Sequence, residues 1–133
     1  MTDPTPLRTL DDLVGRYDAL LCDVWGVVHN GRAYAEAGAA LTRFRAGGGR
    51  VVLLTNVPKP RGPIPAQLDA IGVPRSAWDV IVTSGDAIRV ELNARAPGPM
   101  VRIGPEEFDR PLFEGLRLDE APLEQARFVA VSG

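Results

Sequence analysis

The chain has 133 residues, of which 45% are hydrophobic and 24% charged, with 15 basic against 17 acidic side chains and a net charge of −2. That size and balance fit one globular domain and offer no basic face for nucleic acid. No stretch approaches the roughly 18 apolar residues that would span a bilayer, and the N-terminus lacks the basic-then-apolar pattern of a secretion signal.

A single cysteine, Cys22, excludes an internal disulfide framework and suits a reducing, cytoplasmic compartment. Lys59 is the only lysine among the 15 basic residues. With abundant Ala, Gly and Pro, this usage is what a bacterial, GC-rich genome would produce.

From the N-terminus, Thr9 is placed to cap a short helix over LDDLVGRY, ahead of a strand at 18–23. A turn follows at His29-Asn30-Gly31, then a helix over AEAGAALTRFRA, with Leu41 and Phe44 three apart on one face. Gly47-Gly48-Gly49 stops that helix. RVVLLT then reads as a strand without alternation, the pattern of a strand buried on both faces. Pro58, Pro60, Pro63 and Pro65 leave 58–63 as a loop. PAQLDAIG is a short helix stopped by Gly72, with Leu68 and Ile71 inward. Trp78 leads into strand DVIVT, whose continuous apolar character is again that of a strand covered on both faces, and Ser84-Gly85 opens the helix DAIRVELNA. Past the Gly-Pro stretch at 97–99, the chain reads as strand MVRIG, a turn or helix around PEEFDRPLFEG, a short acidic helix and strand RFVAVSG. This alternation of strand and helix predicts an α/β fold with a parallel, Rossmann-like sheet. The break at 97–99 divides it into 1–97 and 98–133. The closing strand reads as one awaiting a helix, so the chain is expected to be the first half of something longer.

Two strand ends carry the chemical signal. An apolar run stops at Asp23, and a second stops at Thr55-Asn56. In an open parallel sheet the carboxyl ends of the strands are where ligands bind. A carboxylate there is a nucleophile, a metal ligand or a cap for the following turn, and Thr55-Asn56 is either a ligand-binding pair or a turn. Elsewhere the reading is plainer. The triple glycine precedes a strand and is no phosphate loop, and neither GxGxxG nor GxxxxGK[ST] occurs. Cys22 reads as a small core residue. His29 is the sole histidine, which excludes a multi-histidine metal site. Ser84-Gly85-Asp86 reads as a helix start whose amides could also meet an anion.

DVWGVVHNG at 23–31, LLTN at 53–56 and VTSGDA at 82–87, in that order and spacing, resemble the haloacid dehalogenase superfamily, in its subgroup with a large α/β cap inserted after the second motif. The resemblance covers roughly 15–133. It implies that 1–97 is the N-terminal portion of the core and that 98–133 begins the cap. It also implies a phosphatase-like hydrolase of a small phosphorylated metabolite, working through an aspartyl-phosphate. By that resemblance Asp23 is nucleophile and Mg²⁺ ligand, the Trp25 carbonyl is a second metal ligand, and Thr55 and Asn56 hold the phosphate. The logic is sound on its own terms: a carboxylate nucleophile splits one displacement into two, and phosphoryl charge must be met by a metal, amides and hydroxyls.

Two departures follow. Family phosphatases carry a second aspartate two residues after the first, where this chain has Trp25. General acid–base help is worth about 10²–10⁴-fold, so alkyl phosphates should turn over slowly, and a dehalogenase-like cleavage of carbon–halogen bonds is an alternative. The lysine and acidic metal ligands of the family's later motifs are not in these 133 residues. Lys59, in its proline-flanked loop, fits surface placement. The chain alone is therefore expected to be inactive, with a phosphate-binding fragment or pseudoenzyme as the rival reading. Association with a second copy or with a C-terminal half is expected.

Overall fold

The structure is a computed structural model and describes residues 9–132. It is a mixed α/β arrangement of five strands and four α-helices among the described residues: β1 (Ala19–Asp23), α1 (Ala35–Ala46), β2 (Arg50–Thr55), α2 (Ile64–Ala70), β3 (Val80–Thr83), α3 (Ser84–Ala94), β4 (Met100–Ile103), α4 (Glu106–Phe113) and β5 (Phe128–Val131). The expected elements are present in the expected order. The N-terminal helix shortens to a single 3-10 turn at Leu10–Leu13, and the acidic helix likewise to Leu123–Gln125. Gly133, the last residue of the expected closing strand, lies outside the described residues.

Two compact units divide the chain. The first comprises 1–55 and 63–81. Its sheet has the order β1-β2-β3, with β1 and β2 parallel and Asp23 level with Leu54. The helix α1 turns Leu41 and Phe44 inward, as their spacing requires. Its core gathers Phe44, Val51, Leu53 and Leu68, each at most 2% exposed. Burying a side chain of this kind stabilises by about 1.5–3 kcal/mol. Arg45 and Asp79 stitch the unit together. The Arg45 guanidinium donates to the Asp79 carboxylate at 2.6 Å, and the other Asp79 oxygen accepts from the buried Val51 amide at 2.8 Å.

The second unit comprises 56–62 and 82–133. It pairs β4 and β5 in parallel, with Met100 level with Phe128, and packs α3 on α4. Met100, Leu92 and Leu112 are buried in it. One Arg89 nitrogen donates to the carbonyls of Pro111, Leu112 and Glu114, so α3 supplies the cap that the end of α4 needs.

One expectation is corrected. The continuous apolar runs are not buried on both faces. In β2, Val51 and Leu53 are buried while Leu54 is exposed, and in β3 Val80 and Val82 are exposed while Ile81 and Thr83 are buried. One face of each of these strands is exposed among the described residues, so a run with no polar alternation is not thereby buried on both sides.

Candidate functional site

Asp23 closes β1, and the chain leaves the strand by a turn that the sequence specifies closely. Val24 and Val28 are buried and anchor it. The Val24 carbonyl accepts from the amides of Val28 and His29, and the Gly26 amide returns to the His29 carbonyl at 2.8 Å. Gly26 sits at φ 80°, a backbone region that side-chain-bearing residues rarely adopt, which accounts for a glycine at this point of the turn. With both valines turned in, Trp25 is left 64% exposed, its ring 5.4 Å from that of His29 and edge-on to it. The His29 Nδ1 accepts from the Gly31 amide at 3.1 Å, which fixes the imidazole in the turn.

The Asp23 carboxylate is exposed, and one of its oxygens accepts from the Val24 amide at 2.8 Å. Cys22 is half-buried beside it, and its thiol donates to the Asp23 carbonyl. Burial first, and then the Asp23 carboxylate, push the Cys22 thiol up from its ordinary pKa. The neutral thiol is therefore favoured, although Cys22 lines an open groove rather than the core. The parallel register sets Asp23 opposite Leu54, so Thr55 ends the neighbouring strand one residue further on. An open groove of about 370 Å³, walled by Leu10, Leu21, Val27 and Leu41, reaches Asp23 within the first unit. Asn56 is exposed and begins the loop that belongs to the second unit.

As donors, the Asp23 carboxylate and the Trp25 carbonyl are hard oxygens of the kind Mg²⁺ takes, and Mg²⁺ commonly keeps several waters beside one or two carboxylates. Among the described residues no group of three or more His, Cys, Asp or Glu is gathered to hold a metal.

Two sequence readings are refined in the second unit. The helix α3 does start at Ser84, with the Thr83 hydroxyl capping it by accepting from the Asp86 amide at 2.9 Å. Its amides are not idle, however. Gly85 donates to the Val57 carbonyl, so two of the donors suggested for an anion are already in use. Lys59 lies with its ammonium 4.1 Å above the Phe108 ring. Sequence reasoning missed the partnership of Arg61 with Asp86, which are 25 residues apart and carry no local signal.

A parallel α/β sheet with a carboxylate and a threonine ending neighbouring strands has the Rossmann-like fold, in which ligands bind at the carboxyl edge. The model of the haloacid dehalogenase-like hydrolases matches residues 20–114, and the chain belongs to that family. It is similar to a haloacid dehalogenase-like family hydrolase from Brucella suis 1330, with 44% identity and a TM-score of 0.82 over 96% of this chain and 48% of that one. It is also similar to a glycerol phosphate phosphatase from Mycobacterium tuberculosis solved with magnesium, with 25% identity and a TM-score of 0.62 over 91% and 37%. NagD from E. coli K-12 shares the fold at 24% identity and a TM-score of 0.63, over 87% and 46%. The chain thus spans half or less of the length of these structures. Among curated proteins none matches it. No helix among the described residues is long and apolar enough to cross a membrane.

Proposed function

We propose that this chain carries the nucleophile and phosphate-binding part of a phosphatase-like hydrolase acting on a small phosphorylated metabolite, with 98–133 beginning an inserted cap. The observation that carries the reading is the β1–β2 register, in which Asp23 stands level with Leu54 and so next to Thr55 at the carboxyl edge of two parallel strands. The family membership and the phosphatase among the similar structures support it.

In this reading an Asp23 carboxylate oxygen attacks phosphorus. A new oxygen–phosphorus bond forms as the bond to the leaving oxygen breaks, and the leaving group departs as an alkoxide or aryloxide. Water then attacks the phosphorus of the aspartyl-phosphate, releasing inorganic phosphate and returning the carboxylate. The Thr55 hydroxyl and the Asn56 amide donate to the phosphoryl oxygens, where charge is concentrated. Mg²⁺, held by the Asp23 carboxylate and the Trp25 carbonyl, would supply charge neutralisation at the phosphoryl oxygens when bound. Trp25 has no acidic proton to give the leaving oxygen, so the reaction depends on how well that oxygen carries negative charge.

Among the described residues Asp23 is the one carboxylate that ends a strand of this sheet, and residues 1–133 alone are read as inactive. In the full-length protein, Asp23→Asn keeps the side chain's size and removes its nucleophilicity. Hydrolysis of p-nitrophenyl phosphate should fall by about 10³-fold or more. Near-normal turnover by that variant would overturn the assignment.

A further inference from the structure

Thr83-Ser84-Gly85-Asp86 takes no part in the chemistry proposed for Asp23, Thr55 and Asn56, yet it holds the loop that leaves Asn56. Within the second unit, residues 57–61 are tied to the start of α3 at three successive points. The Gly85 amide donates to the Val57 carbonyl at 3.2 Å. Gly85 is buried against Lys59, and any Cβ added there would overlap the Lys59 backbone nitrogen, carbonyl carbon and oxygen. The Asp86 carboxylate accepts from the Arg61 amide at 3.4 Å and faces the Arg61 guanidinium at 3.7 Å. The platform is itself fixed, because the Asp86 amide donates to the hydroxyl of Thr83, which is 1% exposed. Further along, the Lys59 ammonium rests on the Phe108 ring of α4.

Residues 57–61 include Pro58 and Pro60, which have no amide with which to hold the loop. Its position is therefore set by what it is fastened to. We infer that Gly85 and Asp86 are positioning residues for the phosphate-binding Asn56, fastening the loop that begins with it so that its side-chain amide is preorganised for the phosphoryl oxygens. This inference rests on the phosphatase reading above and extends it to residues that touch no substrate.

The test uses the full-length protein, p-nitrophenyl phosphate as substrate and inorganic phosphate as competitor. Gly85→Ala and Asp86→Ala should each raise KM and the inhibition constant for phosphate by about tenfold, the scale of one well-placed hydrogen bond. Asp86→Asn keeps an oxygen to accept from the Arg61 amide and should restore both constants to within about twofold. On an Asn56→Ala background, Gly85→Ala should add less than about twofold, since both changes remove the same contact. If Gly85→Ala fails to fold, the Asp86 pair carries the test. Loss of thermal stability with both constants unchanged, or effects that multiply in the double variant, would overturn the clamp. If Asn56→Ala itself left both constants unchanged, the phosphate role of Asn56 would fall instead, and the clamp's purpose with it.

Discussion

In the proposed reading Trp25 governs which substrates the site would serve. There it stands where a carboxylic acid would protonate the leaving oxygen, and the turn leaves it exposed beside His29 rather than packed away. Aryloxides leave without that proton far more readily than alkoxides. In the full-length protein, aryl phosphates should exceed alkyl phosphates in kcat/KM by about 10² or more, and Trp25→Asp should narrow the gap by raising the alkyl rate. Equal rates on both substrates would contradict this, and halide release from a short haloacid would move the reading to dehalogenase chemistry. Cys22 makes the opposite point. Burial and the adjacent Asp23 carboxylate raise its thiol pKa, so the thiolate is scarce at neutral pH. Alkylation by iodoacetamide should run slower than for a free thiol at pH 7 and quicken only in alkaline solution. Rapid labelling at pH 7 would show the thiol to be activated instead.

Among the elements, β2, β3 and α1 depend on Asp79. Its carboxyl is held below the usual range, chiefly by the hydrogen bond from Arg45, then by the Val51 amide, with the charges of Arg45 and Arg50 adding to it. A carboxyl whose folded pKa is depressed adds stability that is fully present above its unfolded value, about 3.9. That stability is lost as pH falls below that value and through the lower folded one. Acid unfolding should therefore steepen below about pH 4, and Asp79→Asn should flatten the steepening. Asp79→Ala should cost about 1–3 kcal/mol at neutral pH by stranding the Val51 amide, as urea unfolding of the full-length protein would show. An unchanged acid limb in Asp79→Asn would remove the residue from this role. This contact also marks the limit of what the sequence discloses. The helix over 35–46 was legible to its ends, because Leu41 and Phe44 recur at helical spacing and three glycines stop it. The strand ends at Asp23 and Thr55 were legible because apolar runs break there. The Arg45–Asp79 and Arg61–Asp86 pairs, 34 and 25 residues apart, were not, since neither partner differs locally from any surface charge. The exposed faces of β2 and β3 were misread for a related reason: valine and leucine on an uncovered face look the same in sequence as valine and leucine in a core.

For the whole molecule, the uncovered apolar surface is the governing fact. Leu21 on β1 is 65% exposed, and Leu54, Val80 and Val82 are exposed on β2 and β3. Among the described residues β1 pairs on one side only, with β2. In the second unit Val129 and Val131 of β5 are exposed as well. An unpaired apolar strand edge is a template for association, and exposed apolar side chains on the same strands add to it. The polypeptide of residues 1–133, made by itself, should elute from size-exclusion chromatography as oligomer or aggregate, with a broad thermal transition. A sharp, cooperative transition from a monomer would show that these residues close their own core.

The central claim, that Asp23 takes the phosphoryl group, is tested most directly by trapping it. The full-length protein would be mixed with a labelled aryl phosphate and Mg²⁺, quenched in acid within a turnover, and digested for mass spectrometry. The account predicts a phosphorylated peptide containing Asp23, absent from Asp23→Asn and lost from the wild type as turnover completes. Phosphate found on another residue, or steady hydrolysis by the Asp23→Asn variant, would contradict it.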